Sequence, residues 1–245
     1  MKVIFENSIF LHQSTGGISK YISKINKIFQ KKNINSVIYS PISINNNLDE
    51  NKNYNIFFLK FKKIPRFCTK LFYLINNLAT IFFINFYKPD IIHFTYYNNF
   101  LLKFIKIPYI VTVYDLISKK KSHVDKNFNK DQLIKNASHI ICISNTTKQQ
   151  LNKFYKIDKK KISVIYLGVE NNKKLITKKK KYILFVGSRT HYKNFLNFIK
   201  AYSKSKYLIS NFKVYCFGLE NFNLEEIQLF ENLKIKSNIY FKSGS

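Results

Sequence analysis

The stretch Tyr182-Ile-Leu-Phe-Val-Gly-Ser-Arg-Thr-His-Tyr-Lys-Asn-Phe195 decides how the rest of this chain is read. Tyr182 to Val186 is a short continuous apolar run, the pattern of a strand buried in a sheet. Gly187 ends it, at a point where a side chain would block close approach of another group. Beyond the loop, Phe195, Phe198, Ile199 and Tyr202 fall at i, i+3, i+4 and i+7, which gives a helix with one apolar face. Strand, glycine-led loop and helix in this order place the loop where α/β folds hold anions, at a helix N-terminus. Arg189 and Lys193 put two positive charges in that loop, suited to a diphosphate.

The same logic opens the chain. Lys2 to Phe5 reads as a strand, Glu6 to Thr15 as a polar loop, and Gly16-Gly17 as the start of a helix with Ile18, Tyr21, Ile22, Ile25 and Phe29 on its buried face. The spacing is not the GxGxxG dinucleotide fingerprint. Gly16 and Gly17 either allow backbone to approach a ligand or form a tight turn. Further strands are expected at Ser36–Tyr39, Asn55–Phe61, Asp90–Phe94, Tyr109–Val113, His139–Ile143 and Ile162–Tyr166, with residues 41–54 as a polar loop. Leu71–Tyr87 is a long apolar segment at the lower edge of membrane-spanning length, yet it contains Asn76, Asn77, Thr80 and Asn85. It is expected to be a helix packed on a sheet, with shallow membrane contact through an exposed aromatic face left open. A lysine-rich loop at 118–127 and a short helix at about Asn129–Asn136 follow. Ser144 is placed to cap a helix bearing Thr147, Leu151, Phe154 and Tyr155. After Tyr182–Val186, strands are expected at Lys213–Phe217 and Asn238–Phe241, with a helix at Leu224–Leu233 between them.

Composition narrows the function. The formal net charge is +29 and apolar residues make up 46% of the chain, so a sizeable core is available and the partners should be acidic. Lysine, asparagine and isoleucine are abundant together, as in AT-rich coding sequence, which supplies much of the charge without a functional reason. The lysines are scattered or in short runs and no nucleic-acid module is recognisable, so nucleic acid is not an expected partner. Arginine occurs only at 66 and 189; its planar fork suits bidentate oxyanion contact. Cys68, Cys142 and Cys216 are odd in number and lack metal-ligand spacing. The N-terminus reads directly into a strand without a cleavable apolar run, which points to a cytoplasmic protein.

Several of these segments together carry a resemblance: Gly16-Gly17-Ile18, Lys88-Pro89-Asp90-Ile91-Ile92-His93, Val111-Thr112-Val113-Tyr114-Asp115-Leu116, Ala137 to Ser144, Ile165-Tyr166-Leu167-Gly168-Val169 and the 182–195 segment. In this order, over nearly the whole chain, they resemble a family 4 glycosyltransferase of the GT-B type, near mannosyltransferase-like members. The resemblance implies an α/β, GT-B-like fold. An N-terminal, acceptor-side Rossmann-like domain with a parallel sheet would occupy 1–169, a linker 170–181, and an incomplete donor-side Rossmann-like domain 182–245. It implies hexose transfer from a nucleotide-sugar, with GDP-mannose suggested by the subfamily, to a glycan or lipid-linked acceptor in cell-surface polysaccharide or lipopolysaccharide assembly. Anomeric configuration would be retained, and no metal or other cofactor would be needed. The chain would work in the cytoplasm or on the inner face of the plasma membrane. Arg189 and Lys193 would bind the donor diphosphate. Gly16, Gly17 and Gly187 would let backbone approach at the cleft, and Tyr114 and Asp115 would border the reacting sugar.

The chain departs from the family pattern at three places. Relatives commonly have histidine where Tyr114 stands, and tyrosine is a poor base at neutral pH. The loop arginine comes one residue later than usual, after Ser188, whereas Lys193 keeps its spacing from Gly187. The family's pair of glutamates eight positions apart is missing: Glu220, Glu225, Glu226 and Glu231 do not supply it. A half-sheet would leave one apolar side uncovered and prone to association. The alternative reading is therefore a truncated, non-catalytic remnant, or one half of a split transferase, that binds a partner or an anionic membrane.

Overall fold

Strands and helices alternate through the computed structural model, which describes residues 1–48, 55–56, 58–116, 130–169, 180–189, 193–218 and 220–243. They separate into two compact units, the described residues of Met1–Glu170 and those of Asn171–Ser245. The expected lysine-rich loop at 118–127, residues 170–179 of the expected linker, and Thr190, His191 and Tyr192 of the loop before Phe195 lie outside the described residues.

In chain order the first unit contains β1 (Lys2–Phe5), α1 (Ser8–His12), α2 (Gly17–Lys31), β2 (Asn35–Tyr39), β3 (Ile42–Ser43), β4 (Asn55–Ile56), β5 (Leu59–Lys60), α3 (Thr69–Tyr87), β6 (Ile91–Phe94), β7 (Tyr109–Val113), α4 (Lys130–Lys135), β8 (His139–Cys142), α5 (Asn145–Phe154) and β9 (Ile162–Val164). Seven of these strands form one parallel sheet in the order β4-β2-β1-β6-β7-β8-β9. Order runs outward from β1 in both directions, so the chain reverses its winding between β1 and β6. That switch point is where open α/β sheets bind ligands, at the strands' C-terminal ends. Apolar residues cover both faces, as a parallel sheet requires. Val3, Phe5 and Ile38 pack under Ile22 of α2, and Ile4, Ile92, Val111 and Ile140 pack with Ile84, Leu133 and Leu151 of the helices.

Three expectations need correction. Glu6–Thr15 is not all loop. The apolar Ile9-Phe10-Leu11 is buried in α1, and the Glu6 carboxylate accepts from Ser8 N at 2.9 Å, holding the first turn. Asn55–Phe61 is not one strand. β4 joins the large sheet beside β2, whereas β5 pairs with β3 in a separate ribbon. The expected loop at 41–54 likewise contains β3.

α3 packs on the sheet through Ile84, with Ala79, Ile81 and Phe83 against the core, and three polar side chains turn inward beside them. Asn76, Asn77 and Thr80 are buried. The Asn76 amide accepts from Ile42 N and donates to Ile42 O, both at 2.8 Å. Thr80 Oγ1 accepts from Asn7 Nδ2 at 2.8 Å, and Asn77 Oδ1 accepts from Asn98 Nδ2 at 2.8 Å. Asn76 thus serves the backbone of β3, and Asn77 and Thr80 pair with other side chains, so each is buried with a hydrogen-bonding partner.

The second unit contains β10 (Tyr182–Val186), α6 (Phe195–Lys204), α7 (Lys206–Asn211), β11 (Lys213–Gly218), α8 (Leu224–Asn232) and β12 (Ile239–Ser243). Its strands form a parallel sheet in the order β10-β11-β12. One face buries Val214, Cys216 and Ile239 against Phe195, Ile199 and Tyr202 of α6 and Phe230 of α8. Side chains alternate along a strand, so Tyr182, Leu184, Val186, Phe217 and Tyr240 emerge on the other face and are exposed. The short α7 has no counterpart in the sequence reading; Ser205 caps it by accepting from Leu208 N at 3.3 Å.

Candidate functional site

The loop after β10 is the best-defined anion-type feature of the second unit. Gly187 has φ +102°, a conformation that an L side chain rarely adopts. A Cβ there would also lie 2.7 Å from the Lys193 ammonium. The lysine therefore reaches back over the glycine. The Gly187 amide donates to Phe217 O at 2.8 Å, and a Cβ on Gly218 would approach Gly187 O at 3.2 Å. Both strand ends are thus held close. α6 begins at Phe195, and its N-cap Asn194 is left-handed and makes no side-chain bond to the helix amides.

Arg189 occupies a different place from the one expected. Its Nε and Nη2 donate to Glu226 Oε1 and Oε2 at 2.7 and 3.1 Å. Nη1 and Nη2 also donate to Glu220 O at 3.0 Å and Asn221 O at 2.7 Å. The guanidinium lies 5.0 to 6.0 Å from the ring centres of Phe195, Phe222 and Phe241. Its side chain is 9% exposed and that of Glu226 8%. This corrects the picture of a free cationic fork: a charge buried among phenylalanines requires its counter-charge, and most of the fork's donors are already engaged. Arg189 fastens the loop after β10 to the head of α8. Glu226 does two tasks, because it also completes the capping box of α8, accepting from Asn223 N while Asn223 Oδ1 accepts from Glu226 N. The spacing Asn223-x-x-Glu226 was the sequence signal for this residue; nothing local signalled its pairing with Arg189.

In the first unit, the C-terminal ends of β1, β6 and β7 carry a second group. Glu6 is fully buried. Its carboxylate accepts from Ser8 Oγ at 2.5 Å, Thr95 N at 2.9 Å, Thr95 Oγ1 at 2.9 Å and Tyr96 N at 3.2 Å. Burial raises its pKa, and the hydrogen bonds from Ser8, Thr95 and Tyr96 oppose that rise. It ties the end of β1 to the end of β6. His93 is buried with Nε2 2.9 Å from Thr112 Oγ1, and burial pushes its pKa down to about 4. A neutral imidazole holding a neighbouring strand is a structural part, not a titrating catalyst.

Tyr114 stands at the end of β7, its ring edge-on to Tyr21 of α2 at 6.1 Å. Burial raises its pKa well above the ordinary value, so it can donate a hydrogen bond but not act as a base. The Thr112 hydroxyl lies near enough to ease ionisation slightly, yet forms no well-aligned bond to it. Among the described residues, the hydroxyls of Tyr114 and Tyr97 are buried without a hydrogen-bond partner. Such orphans in a native site call for an explanation. Tyr97 was not visible in the sequence, since its placement beside Tyr114 depends on the pairing of β6 with β7. Asp115 is exposed. Ser144 accepts from Thr147 N at 3.1 Å and so caps α5.

The loop ahead of α2 is pinned by side chains. Gly16 O accepts from Ser19 Oγ at 3.1 Å and Asn47 Nδ2 at 3.3 Å. A Cβ on Gly16 would collide with the Gln13 amide, whereas one on Gly17 would meet open space. Among the described residues nothing gives Gly17 a steric reason. Among the described residues, no group of three or more His, Cys, Asp or Glu is placed to hold a metal.

Comparisons with known proteins agree with this architecture. The family described as Glycosyltransferase Family 4 matches residues 15–173, and the one described as Glycosyl transferases group 1 matches residues 168–245. The chain is similar to the O-antigen chain mannosyltransferase RfbU of Salmonella typhimurium, at 34% identity over 113 residues; the match spans 44% of this chain and 30% of that relative's length. Its fold is similar to that of Anabaena Alr3699/HepE solved with UDP-glucose, with TM-score 0.69 and 13% identity over 100% of this chain and 69% of that one. It is also similar to a glycosyltransferase from Rickettsia africae ESF-5, with TM-score 0.59 and 20% identity over 100% of this chain and 68% of that one. With a seven-stranded parallel unit followed by a smaller parallel unit of the same handiwork, and with the first family matched across most of the chain, this protein belongs to glycosyltransferase family 4.

Proposed function

We propose that the chain contributes to transfer of a hexose from a nucleotide-sugar to a glycan or lipid-linked acceptor in polysaccharide or lipopolysaccharide assembly. The observation that carries this reading is the Lys193 ammonium held over Gly187 at the head of α6. A backbone without side chain, a helix N-terminus uncapped by Asn194 and a cation converge on one spot, as diphosphate binding needs. When the glycosyl bond breaks, negative charge grows on the leaving diphosphate, and Lys193 is the group placed to stabilise it. Arg189 acts behind it by fixing the loop through Glu226. In the first unit, the orphan hydroxyl of Tyr114 is a neutral donor for a sugar oxygen, with Asp115 beside it and Gly16 and Gly17 admitting the ligand. Mannose as the hexose rests on the resemblance and on the similarity to the Salmonella mannosyltransferase; a GDP donor and retention of configuration rest on the resemblance alone. The division into 1–169 and 182–245 about a connector at 170–181 is supported by the two compact units.

A second reading has its own observation. The exposed Tyr182, Leu184, Val186, Phe217 and Tyr240 give the second sheet an uncovered apolar face, as expected of a half that docks to another polypeptide.

Isothermal titration of the purified chain with GDP and with UDP tests the first reading. Binding that weakens at least about tenfold in Lys193→Ala, the loss of one charge-assisted contact, is expected. Binding unchanged in that variant, or none by either nucleotide, refutes donor-site function for this chain and leaves the docking role.

A further inference from the structure

A pocket of about 290 Å³ opens between the N-terminal half of α3 and the segment that follows β6. Thr69, Lys70, Leu74 and Asn77 of α3 line one wall, and Asn98 and Phe100 line the other. The walls are tied together: Asn98 Nδ2 donates to Asn77 Oδ1 at 2.8 Å, and Asn98 Oδ1 accepts from Phe100 N at 3.1 Å. Asn76 bonds to both Ile42 N and Ile42 O, which locks the rotation of α3 and with it the shape of this wall. Asn77 and Asn98 are only 4% and 5% exposed. Such burial is costly unless the polar atoms are served. Yet Asn77 Nδ2 donates to no described residue. The atom is not sealed in the core either, so its protons are left for an occupant of the pocket.

We infer that this pocket holds one saccharide unit of the acceptor, a unit other than the one that reacts. The lining decides the class of ligand. Amides and a hydroxyl both donate and accept, which matches neighbouring sugar hydroxyls. Leu74 and Phe100 offer apolar surface to the C–H face of a sugar ring. Among the described residues no Asp or Glu lines the pocket, so a cation finds no counter-charge there. A single exposed ammonium, Lys70, is a thin complement for a phosphate. A wholly apolar ligand would leave the amides unserved. The path to the end of β7 is short. Glu6 fixes the amides of Thr95 and Tyr96, and Tyr97 follows, close enough to Tyr114 to raise its pKa. From Tyr97 to Phe100 is at most roughly 11 Å of chain, so one short oligosaccharide can reach from Tyr114 into the pocket. The pocket would then set specificity: an acceptor without a hydroxyl for Asn77 leaves a buried amide unpaired and is rejected. The inference rests on the acceptor reading above, but on neither Lys193 nor a bound nucleotide.

Saturation-transfer NMR on the whole chain tests this, with the methyl α-glycosides of mannose, glucose and galactose as probes and no nucleotide present. At least one glycoside should bind, with a roughly millimolar dissociation constant. Asn77→Asp still accepts from Asn98 but lacks the amide donor, and should weaken that binding about three- to tenfold. Leu74→Trp fills the pocket from a position that is 44% exposed. It should abolish binding while its circular dichroism matches the parent, and it keeps the test decisive if Asn77→Asp folds poorly. Equal saturation transfer in the parent and both variants would place the sugar elsewhere and overturn the inference. So would absence of binding by every glycoside, or broadening of the inorganic phosphate line in phosphorus NMR that Lys70→Ala abolishes while no glycoside binds. The GDP and UDP titrations are separate measurements, so a chain that binds nucleotide but no glycoside loses this inference alone.

Discussion

Glu226→Gln should strongly destabilise the second unit while leaving the first intact. Glutamine keeps the capping box, because its amide oxygen still accepts from the Asn223 amide. It removes the charge facing Arg189 and turns one carboxylate oxygen into an amide donor opposed to the guanidinium. Both side chains are more than nine-tenths buried, and stripping one partner from such a pair costs about 3–5 kcal/mol. A unit of this size is stabilised by roughly 4–11 kcal/mol, so the loss is a large share of the total. Replacing both partners, in Glu226→Gln/Arg189→Met, should restore most of it. The methionine then packs among Phe195, Phe222 and Phe241, and the carbonyls of Glu220 and Asn221 lie at exposed contacts that water can serve. Hydrogen exchange read by mass spectrometry at the β10 and β11 amides reports this unit apart from the first. A double-mutant cycle with coupling of at least about 2 kcal/mol is expected. A single-variant loss under about 1 kcal/mol, or losses that simply add, would show that the clamp does not hold the loop.

Two further outcomes follow from the first unit. His93 has a folded pKa near 4 against the ordinary 6.5, so the unfolded chain takes up the proton first. Its contribution is fully present above about pH 6.5 and lost as pH falls toward 4, by roughly 3 kcal/mol. Urea unfolding of β6 and β7 should show this slope, flattened in His93→Gln; an unchanged slope assigns the acid sensitivity elsewhere. Asn76→Leu should destabilise by about 1–3 kcal/mol despite its apolar side chain, because Ile42 N loses its partner and Ile42 O keeps only Ser40 Oγ at 3.3 Å. A raised urea midpoint would mean that the inward face of α3 tolerates apolar packing and that the helix is not locked.

What the chain revealed unaided was its alternation of local patterns. Apolar runs at Lys2–Phe5, Tyr109–Val113 and His139–Ile143 specify a parallel α/β architecture because burial on both faces demands such runs; Tyr182–Val186 was read as buried in the same way, but Tyr182, Leu184 and Val186 of β10 are exposed. Gly187 was legible as the residue that ends β10, since turn chemistry is local. Ser144 was equally plain as a cap. Tertiary structure alone decided partners distant in sequence. Arg189 looked like a ligand for phosphate until the pairing of β10 with β11 brought Glu226 to it. Glu6 looked like a loop residue until β6 set Thr95 and Tyr96 around its carboxylate. That Asn76 and Asn77 of α3 turn inward was decided by Ile42 and Asn98, which meet them there. A side chain's period tells which residues share a face, but which face turns inward depends on where unsatisfied backbone lies, and that is known only once the strands have paired.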